Sequence, residues 1–305
     1  MIELAIMIEG QNGLNWARWQ RIARAAEDLG FAALYRSDHY TNAAPPDLDS
    51  LECWVSLAWL ASHTQRIEFG TLVSPLSFRH PTMLARMARD VDDLSGGRFT
   101  LGLGAGWQER EHTNYGWELL PIKERFERFR DGLEIITRLF NRADPVTYAG
   151  KYYRVEDAVL LPRPQRRTPI LIGGRGPKRT IALAAQYADE WNTFLLPLDT
   201  YRDLSARLDA ALTQNGRAPA SIRRSLMTSI IFGRDDAAVQ AKLLARGLTV
   251  ERAHSRAVLV GTPSQIVEQL GRMMELGIQR VILQWLDLDD LDGLEAIARG
   301  VLPQL

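Results

Sequence analysis

The chain has 305 residues, of which 37 are basic and 37 acidic, so its formal charge at neutral pH is zero. Nucleic-acid and anionic-membrane surfaces need an excess of basic side chains, and this balance argues against both kinds of partner. Hydrophobic residues make up 46% and charged residues 24%, which is typical of a globular protein with a buried core, and we expect its partner to be a small molecule.

The cysteine content and the N-terminal stretch indicate a reducing compartment. Cys53 is the single cysteine, so no internal disulfide can form, and its apolar surroundings predict a core residue rather than a nucleophile. The first ten residues include Glu3 and Glu9 and no basic region, which does not fit a signal peptide. The longest run without charged residues, Cys53–Gln65, is too short to cross a bilayer. We therefore expect a cytoplasmic protein.

Short apolar runs alternate with longer segments of helical period in the first half of the chain, which predicts alternating strands and helices. One such helix begins near Pro81 and ends before Gly96 and Gly97, as helices with an early proline and a terminal glycine do. The predicted strands are 4–8, 32–36, 67–73 and 99–103, and the predicted helices are 16–29, 51–62, 81–94 and 122–140.

Two stretches interrupt this alternation. Prolines surround an alternating pattern at 141–169, which predicts an inserted loop or hairpin, and 247–262 is predicted to be irregular. Between and beyond them the predicted strands are 170–172, 189–192, 224–231 and 280–285, and the predicted helices are 177–187, 200–214, 235–246, 263–276 and 291–299.

Strict alternation of strands and helices predicts a parallel sheet with helices outside it. Eight predicted strands in a chain of this length favour a (β/α)8 TIM barrel, with insertions after the fourth helix of the barrel and near strands 7 and 8. An open doubly wound sheet is the alternative. We find no linker, so we expect one domain, 1–305.

In such a barrel the loops that follow the strands build the active site. The strand ends combine glycine loops, large rings and few charges, a lining that suits a flat aromatic ligand better than a sugar or a metal. The candidate residues are Glu9, Asp38, His39, Ser74, Gly104, Ala105, Gly106, Trp107, Gly173, Gly174, Arg175, Gly176, Trp191, Asn192 and Trp285.

The loop Gly173–Gly176 precedes a predicted helix with Pro177 first and Lys178 and Arg179 in its first turn. Backbone N–H groups at a helix start, approached closely because glycine has no Cβ, form an anion site. The pattern favours a phosphate cradle, and an ordinary glycine-rich turn is the alternative. The glycine spacing here and at 102–106 does not match the dinucleotide fingerprint.

No metal site is predicted. Glu109 and His112 lie three residues apart without further ligands, and the acidic run at 287–292 has Leu291 at a ligand position, so it is expected to cap a helix. Hydrolytic and phosphoryl-transfer motifs are missing as well.

Four stretches together resemble the bacterial luciferase-like family and, within it, the branch of oxidoreductases that use the deazaflavin coenzyme F420. The resemblance runs over nearly the whole chain and is densest at 33–192. The stretches are RSDHY (36–40), FGTLVSPLSFRHP (69–81), LSGGRFTLGLGAGWQEREHTNYG (94–116) and PILIGGRGPKRTIALAAQYADEWN (169–192).

This resemblance implies a TIM barrel that holds a flavin or deazaflavin ring at its C-terminal mouth. Asp38 and His39 match an acid–histidine pair beside the reactive edge of the ring. Leu72 and Val73, followed by Ser74, match a bulge with a non-prolyl cis peptide behind the ring. The loop that receives the ribityl phosphate matches Gly174, Arg175 and Gly176, and the loop after strand 4 matches Gly106 and Trp107.

The implied reaction is hydride transfer between the ring and an organic substrate. We expect His39 to donate a proton or polarise the substrate, and Asp38 to hold the ring or the imidazole. Trp107 stands where some sugar-phosphate-oxidising relatives have a catalytic glutamate, which argues against a sugar phosphate.

Three alternatives stay open from the sequence. FMN with oxygen chemistry is the main one, and a non-redox barrel or a cofactor-binding protein without turnover is more remote. A homodimer is expected by analogy with the family. For the acidic tail of F420, a local basic rim is proposed from Arg36, Arg79, Arg110, Arg175, Lys178 and Arg179.

Overall fold

The computed structural model describes residues 1–141 and 143–305, and its centre is a closed barrel of eight parallel strands. The strands of the chain are β1 (Glu3–Ile8), β2 (Ala33–Arg36), β3 (Glu68–Thr71), β4 (Ser74–Pro75), β5 (Phe99–Gly104), β6 (Val146–Ala149), β7 (Arg154–Ala158), β8 (Ile170–Gly173), β9 (Glu190–Phe194), β10 (Arg223–Phe232), β11 (Leu259–Gly261) and β12 (Arg280–Trp285).

The barrel runs β1–β2–β3–β5–β8–β9–β10–β12 and closes because β12 pairs with β1. Every pairing around the circuit is parallel, including the β9–β10 pair that joins the two halves. This confirms the predicted (β/α)8 barrel and excludes the open sheet. The carboxyl ends of all eight strands therefore meet at one mouth.

The helices surround the barrel and turn one apolar face towards it. In the third of them, Leu84, Ala88 and Val91 are buried at helical spacing, while Met83 on the other side is half exposed. The helices are α1 (Trp16–Asp28), α2 (Cys53–His63), α3 (Pro81–Leu94), α4 (Glu109–Tyr115), α5 (Ile122–Asn141), α6 (Arg179–Tyr187), α7 (Leu198–Gln214), α8 (Asp236–Ala245), α9 (Val250–Ser255), α10 (Pro263–Glu275) and α11 (Leu291–Val301). None of the helices in the described residues is both long and apolar enough to cross a membrane.

A network of charged side chains fills the base of the barrel, where the strands begin. The guanidinium of Arg280, 1% exposed, donates to Glu3 Oε2, Glu68 Oε2 and Tyr35 Oη, each at 2.6 Å. Burial disfavours the charged form of Arg280, but the surrounding acidic groups outweigh it and raise its pKa. Arg280 is therefore paired with three side chains of the base, whereas Oε1 of the neighbouring buried Glu190 has no hydrogen-bond partner among the described residues.

The two predicted insertions have different outcomes. The first contains the antiparallel hairpin β6–β7, as predicted. The second, 247–262, was expected to be irregular and is not: Thr249 caps α9, and β11 extends the sheet beside the end of β10. Elements of six and three residues are too short to show a hydrophobic period, which explains the wrong prediction.

Candidate active site

His39 lies at the mouth of the barrel, three residues beyond the end of β2. Its side chain is 17% exposed and its Nδ1 lies 2.8 Å from Glu111 Oε1. Gln108 Nε2 lies 3.3 Å from the same nitrogen, and no hydrogen-bond partner for Nε2 is found among the described residues. One ring nitrogen is therefore held by the protein and the other is available to a ligand.

The electrostatic surroundings favour the protonated imidazole. Burial by itself lowers the pKa of His39, but the hydrogen bond and the charge of Glu111 outweigh burial, and Glu9 and Asp38 add to them, so the pKa lies above its ordinary value. His39 can therefore serve as a proton donor near neutral pH.

Asp38 has a different environment from its neighbour. Its carboxylate, 1% exposed, accepts hydrogen bonds from Arg79 Nη1 and from Ser74 Oγ, both at 2.6 Å, and from Trp54 Nε1 at 3.3 Å. The expectation that Asp38 holds the imidazole is wrong, because that carboxylate is Glu111. Asp38 instead ties the loop after β2 to β4 and α2, and its contact with a cofactor stays a prediction.

A tightly packed floor lies where the chain leaves β3. The peptide bond between Leu72 and Val73 is cis, as the family resemblance implied. Val73 packs against two glycine positions: a Cβ on Gly104 or Gly173 would lie 2.7 Å and 2.9 Å from its methyl groups. Only glycine leaves room for this approach, so the floor is built by the sequence of three strands.

The loop Gly173–Gly176 forms a cradle in front of α6. Gly174 has φ +141°, a backbone conformation that residues other than glycine rarely adopt. A Cβ on Gly176 would lie 2.8 Å from Thr180 Oγ1. The helix begins at Arg179 rather than at the predicted Pro177, and no side chain of the described residues caps it. Its first N–H groups therefore face the loop without a side-chain acceptor, a geometry that accommodates a phosphate.

The loop after β5 places an aromatic ring beside His39. Trp107 is 62% exposed, and its ring meets the imidazole edge to face at 5.7 Å between centroids. Gly106 has φ +83°, and its carbonyl accepts from Arg125 Nη1 at 2.8 Å, which fixes the turn. The indole is thus available to a ligand that also reaches the imidazole.

Several predicted mouth residues lie elsewhere. Trp191 is fully buried among the outer helices, where it stacks on Tyr201 and its Nε1 donates to Gly174 O at 3.0 Å. It supports the cradle from behind rather than lining the mouth. Trp285 is also buried in the outer layer. Side chains alternate along a strand, so both tryptophans fall on the outward face of their strands.

The proposed basic rim is smaller than predicted. Arg36 is completely buried and donates to the carbonyl of Leu51 at 2.8 Å, so it cannot contact a ligand. Arg79 is paired with Asp38 and Glu52, and Arg110 with Asp47. The exposed basic side chains near the cradle are Arg175, Lys178 and Arg179.

Glu9 completes the wall of the mouth opposite the cradle. Its two carboxylate oxygens accept from Gln284 Nε2 at 2.7 Å and from Gln11 Nε2 at 2.9 Å. Asn192 is buried and donates to Ser225 Oγ at 2.9 Å inside the barrel. Two amide side chains therefore hold the carboxylate of Glu9, and the Asn192–Ser225 pair is a separate polar contact between β9 and β10.

His112 and Asp290, which belong to the stretches considered as metal ligands, have other hydrogen-bond partners. Within residues 1–141 and 143–305 no group of three His, Cys, Asp or Glu side chains is placed to hold an ion. His112 Nε2 lies 2.7 Å from Ser77 Oγ, and Asp290 caps α11 through Gly293 N at 2.8 Å, the structural role that was predicted for the acidic run.

Glu111 is the site residue that the sequence did not indicate. It lies on α4, a helix of seven mostly polar residues without an apolar period. Its burial at 1% exposure could not be read from such a pattern. The nearest signal is the EREH stretch within the motif after strand 4, in which Glu109 and His112 have the spacing of metal ligands and Glu111 lies between them.

Comparisons with known proteins define the class. The family model of luciferase-like monooxygenases matches residues 3–256, so the chain belongs to this family. The F420-dependent glucose-6-phosphate dehydrogenase of Microbacterium testaceum is 29% identical over 92% of this chain and 90% of its own. The family recognised in the sequence is therefore confirmed, and the protein is an oxidoreductase.

Solved structures share the barrel. An F420-dependent secondary alcohol dehydrogenase in complex with an F420–acetone adduct has a TM-score of 0.87 at 19% identity and covers 99% of this chain and 98% of its own. A riboflavin lyase with modified FMN and the substrate riboflavin has a TM-score of 0.84 at 16% identity and covers 99% of this chain and 91% of its own. At these identities the likeness is one of fold.

Proposed function

We propose that the protein transfers a hydride between coenzyme F420 and a small organic substrate bound at the mouth of the barrel. The observation that carries the proposal is the placement of His39: its Nδ1 is held by Glu111, its Nε2 has no hydrogen-bond partner among the described residues, and its ring contacts the exposed Trp107. The glycine floor and the cradle follow other strands at the same end of the barrel. The relatives that use F420 support the choice of cofactor.

The residues present fit a deazaflavin with a phosphate. The cradle Gly174–Gly176 and the start of α6 would hold the phosphate, and the floor at Leu72–Val73 would support the ring. F420 supplies the hydride chemistry when it is bound. The chain itself orients the reactants, and His39 Nε2 gives a proton to, or takes one from, the oxygen of the substrate.

The substrate is proposed to differ from glucose 6-phosphate, on which the Microbacterium relative acts by name. The mouth presents the indole of Trp107, 62% exposed, next to the imidazole. An apolar ring at this position favours a substrate with an apolar face. A reducing cytoplasmic location and a homodimer stay predictions.

FMN is the second candidate cofactor, because the riboflavin lyase of the same fold holds a modified FMN. Equilibrium titration of the purified apoprotein with F420 and with FMN, followed by tryptophan and cofactor fluorescence at several salt concentrations, separates the two. We expect tighter binding of F420. Tighter binding of FMN would make the protein a flavin enzyme, and binding of neither would overturn the proposed function.

A further inference from the structure

The carboxylate of Glu111 is held in place on two sides. Its Oε1 lies 2.8 Å from His39 Nδ1, and its Oε2 accepts from the backbone N of Tyr40 at 3.1 Å. Both oxygens thus contact the loop after β2, although Glu111 belongs to a helix that follows β5. A side chain bound at both oxygens and 1% exposed has little freedom to turn away.

The helix that carries Glu111 is itself fixed to its surroundings. On one side Arg110 makes two hydrogen bonds of 2.6 Å to the carboxylate of Asp47. On the other, His112 Nε2 lies 2.7 Å from Ser77 Oγ. The seven residues of α4 are therefore anchored to the loop after β2 and to Ser77 by contacts that do not involve the imidazole of His39.

A carboxylate at this distance from Nδ1 determines where the proton of a neutral imidazole resides. Because an ionised carboxylate can only accept, Nδ1 carries hydrogen, and the second contact of Nδ1, Gln108 Nε2, is longer and itself donates to Thr41 O at 3.0 Å. Nε2 is then the atom that gains and loses a proton, and it is the atom directed at the mouth.

We propose that Glu111 is a positioning residue that fixes His39 as the Nδ1–H tautomer and presents Nε2 to the substrate. The pair joins the loop between β2 and α2 to helix α4, in the way that a buried carboxylate orients a catalytic histidine. The proposal rests on the proposed function for the role of Nε2, but the pairing itself can be measured without cofactor or substrate.

The charged groups around His39 are few and come from three elements. Glu111 faces it from α4, Glu9 from the end of β1 and Asp38 from the adjacent position. The charge of Asp38 is matched by Arg79, and Glu9 is hydrogen-bonded to two glutamines. Glu111 is the one in direct contact with the imidazole, so its removal should have the largest effect on the protonation of His39.

The test is NMR titration of protein labelled with ¹⁵N and ¹³C in histidine. The chain has five histidines, and His39→Asn identifies the signal. In the wild type we expect the titration midpoint of His39 to lie above 6.5, the ordinary pKa of histidine. At high pH we expect the ¹⁵N chemical shifts of the Nδ1–H tautomer. Glu111→Gln should move the midpoint to lower pH, while its amide oxygen still accepts from Tyr40 N. Glu109→Gln, on the exposed side of the same helix, is the matched control and should leave the midpoint unchanged.

Two results would overturn the proposal. One is an Nε2–H tautomer in the wild type, which needs no variant and so does not depend on whether Glu111→Gln folds. The other is a midpoint that moves no further in Glu111→Gln than in Glu109→Gln. If the midpoint moves as expected and the protein binds neither F420 nor FMN, the pairing stands and the proposed function fails.

Discussion

The two ends of the barrel treat charge in opposite ways. At the base, Arg280 donates to three partners and is 1% exposed. At the mouth, His39 is bonded through one nitrogen and leaves the other free. Removing one partner of a buried ion pair destabilises a protein, whereas a group with an unused donor or acceptor is suited to a ligand. Each end can therefore be altered with little effect on what the other does.

The largest expected effect is on turnover. His39→Asn keeps a donor towards Glu111 but removes Nε2, so hydride transfer assayed with a panel of alcohols and carbonyl compounds should fall by about 10²- to 10⁴-fold. The affinity for F420 should change little. His63→Asn, at an exposed position on α2, is the control and should keep wild-type turnover. Equal turnover in the two variants would remove His39 from the reaction.

At the base the expected effect is on stability instead. Arg280→Met leaves the hydroxyl of Tyr35 without its donor and leaves Glu3 and Glu68 with only the longer contacts to Arg223, at 3.9 and 3.5 Å. We expect the free energy of unfolding in urea to fall by about 2 kcal/mol, because both carboxylates are partly exposed. The Kd for F420 should stay the same. Arg299→Met removes an exposed pair with Glu295 and should cost no more than about 0.5 kcal/mol. A variant of Arg280 that is stable but binds F420 weakly would contradict the division between the two ends.

The sequence predicted the barrel and its mouth to different extents. Alternating periods and strand ends were sufficient for the barrel and for His39, because both depend on local patterns. The outward direction of Trp191 and the burial of Arg36 depend on strand register, which a run of apolar residues does not reveal. Glu111 required the packing of a short polar helix against a distant loop. Contacts between residues 72 positions apart have no local signature.

A glycine substitution in the cradle tests whether this loop binds the phosphate of F420. Gly174→Ala places a Cβ 3.1 Å from Thr180 and forces an alanine to φ +141°. The strain of roughly 1–3 kcal/mol should weaken F420 binding by about 10- to 100-fold in a fluorescence titration. Gly216→Ala has φ +70° with nothing within 4 Å, so it should lower stability without changing the affinity. Equal affinity in both variants would place the phosphate elsewhere.

The smallest expected effect is the pH dependence of stability, and it distinguishes the two ends most directly. The pKa of His39 in the folded protein is raised, because the hydrogen bond and the charge of Glu111 outweigh burial. The pair with Glu111 therefore stabilises the protein fully below pH 6.5, the ordinary pKa of histidine, and this contribution is lost as the pH rises through the raised pKa. The difference in unfolding free energy between the wild type and His39→Asn should therefore shrink from about pH 6 to about pH 9.

The corresponding difference for Arg280→Met should not shrink over this range, because Glu190, whose pKa is raised by burial and lowered by the charge of Arg280, would ionise less readily without Arg280. Burial by itself would raise the pKa of Glu68, but the charge of Arg280 and its hydrogen bond outweigh burial and lower it below 4.5, and the pKa of Arg280 is raised above its ordinary value. Neither group titrates between about pH 6 and about pH 9. A His39 difference that grows with pH would mean that the neutral imidazole is the favoured form, and Glu111 would then not be paired with a protonated ring.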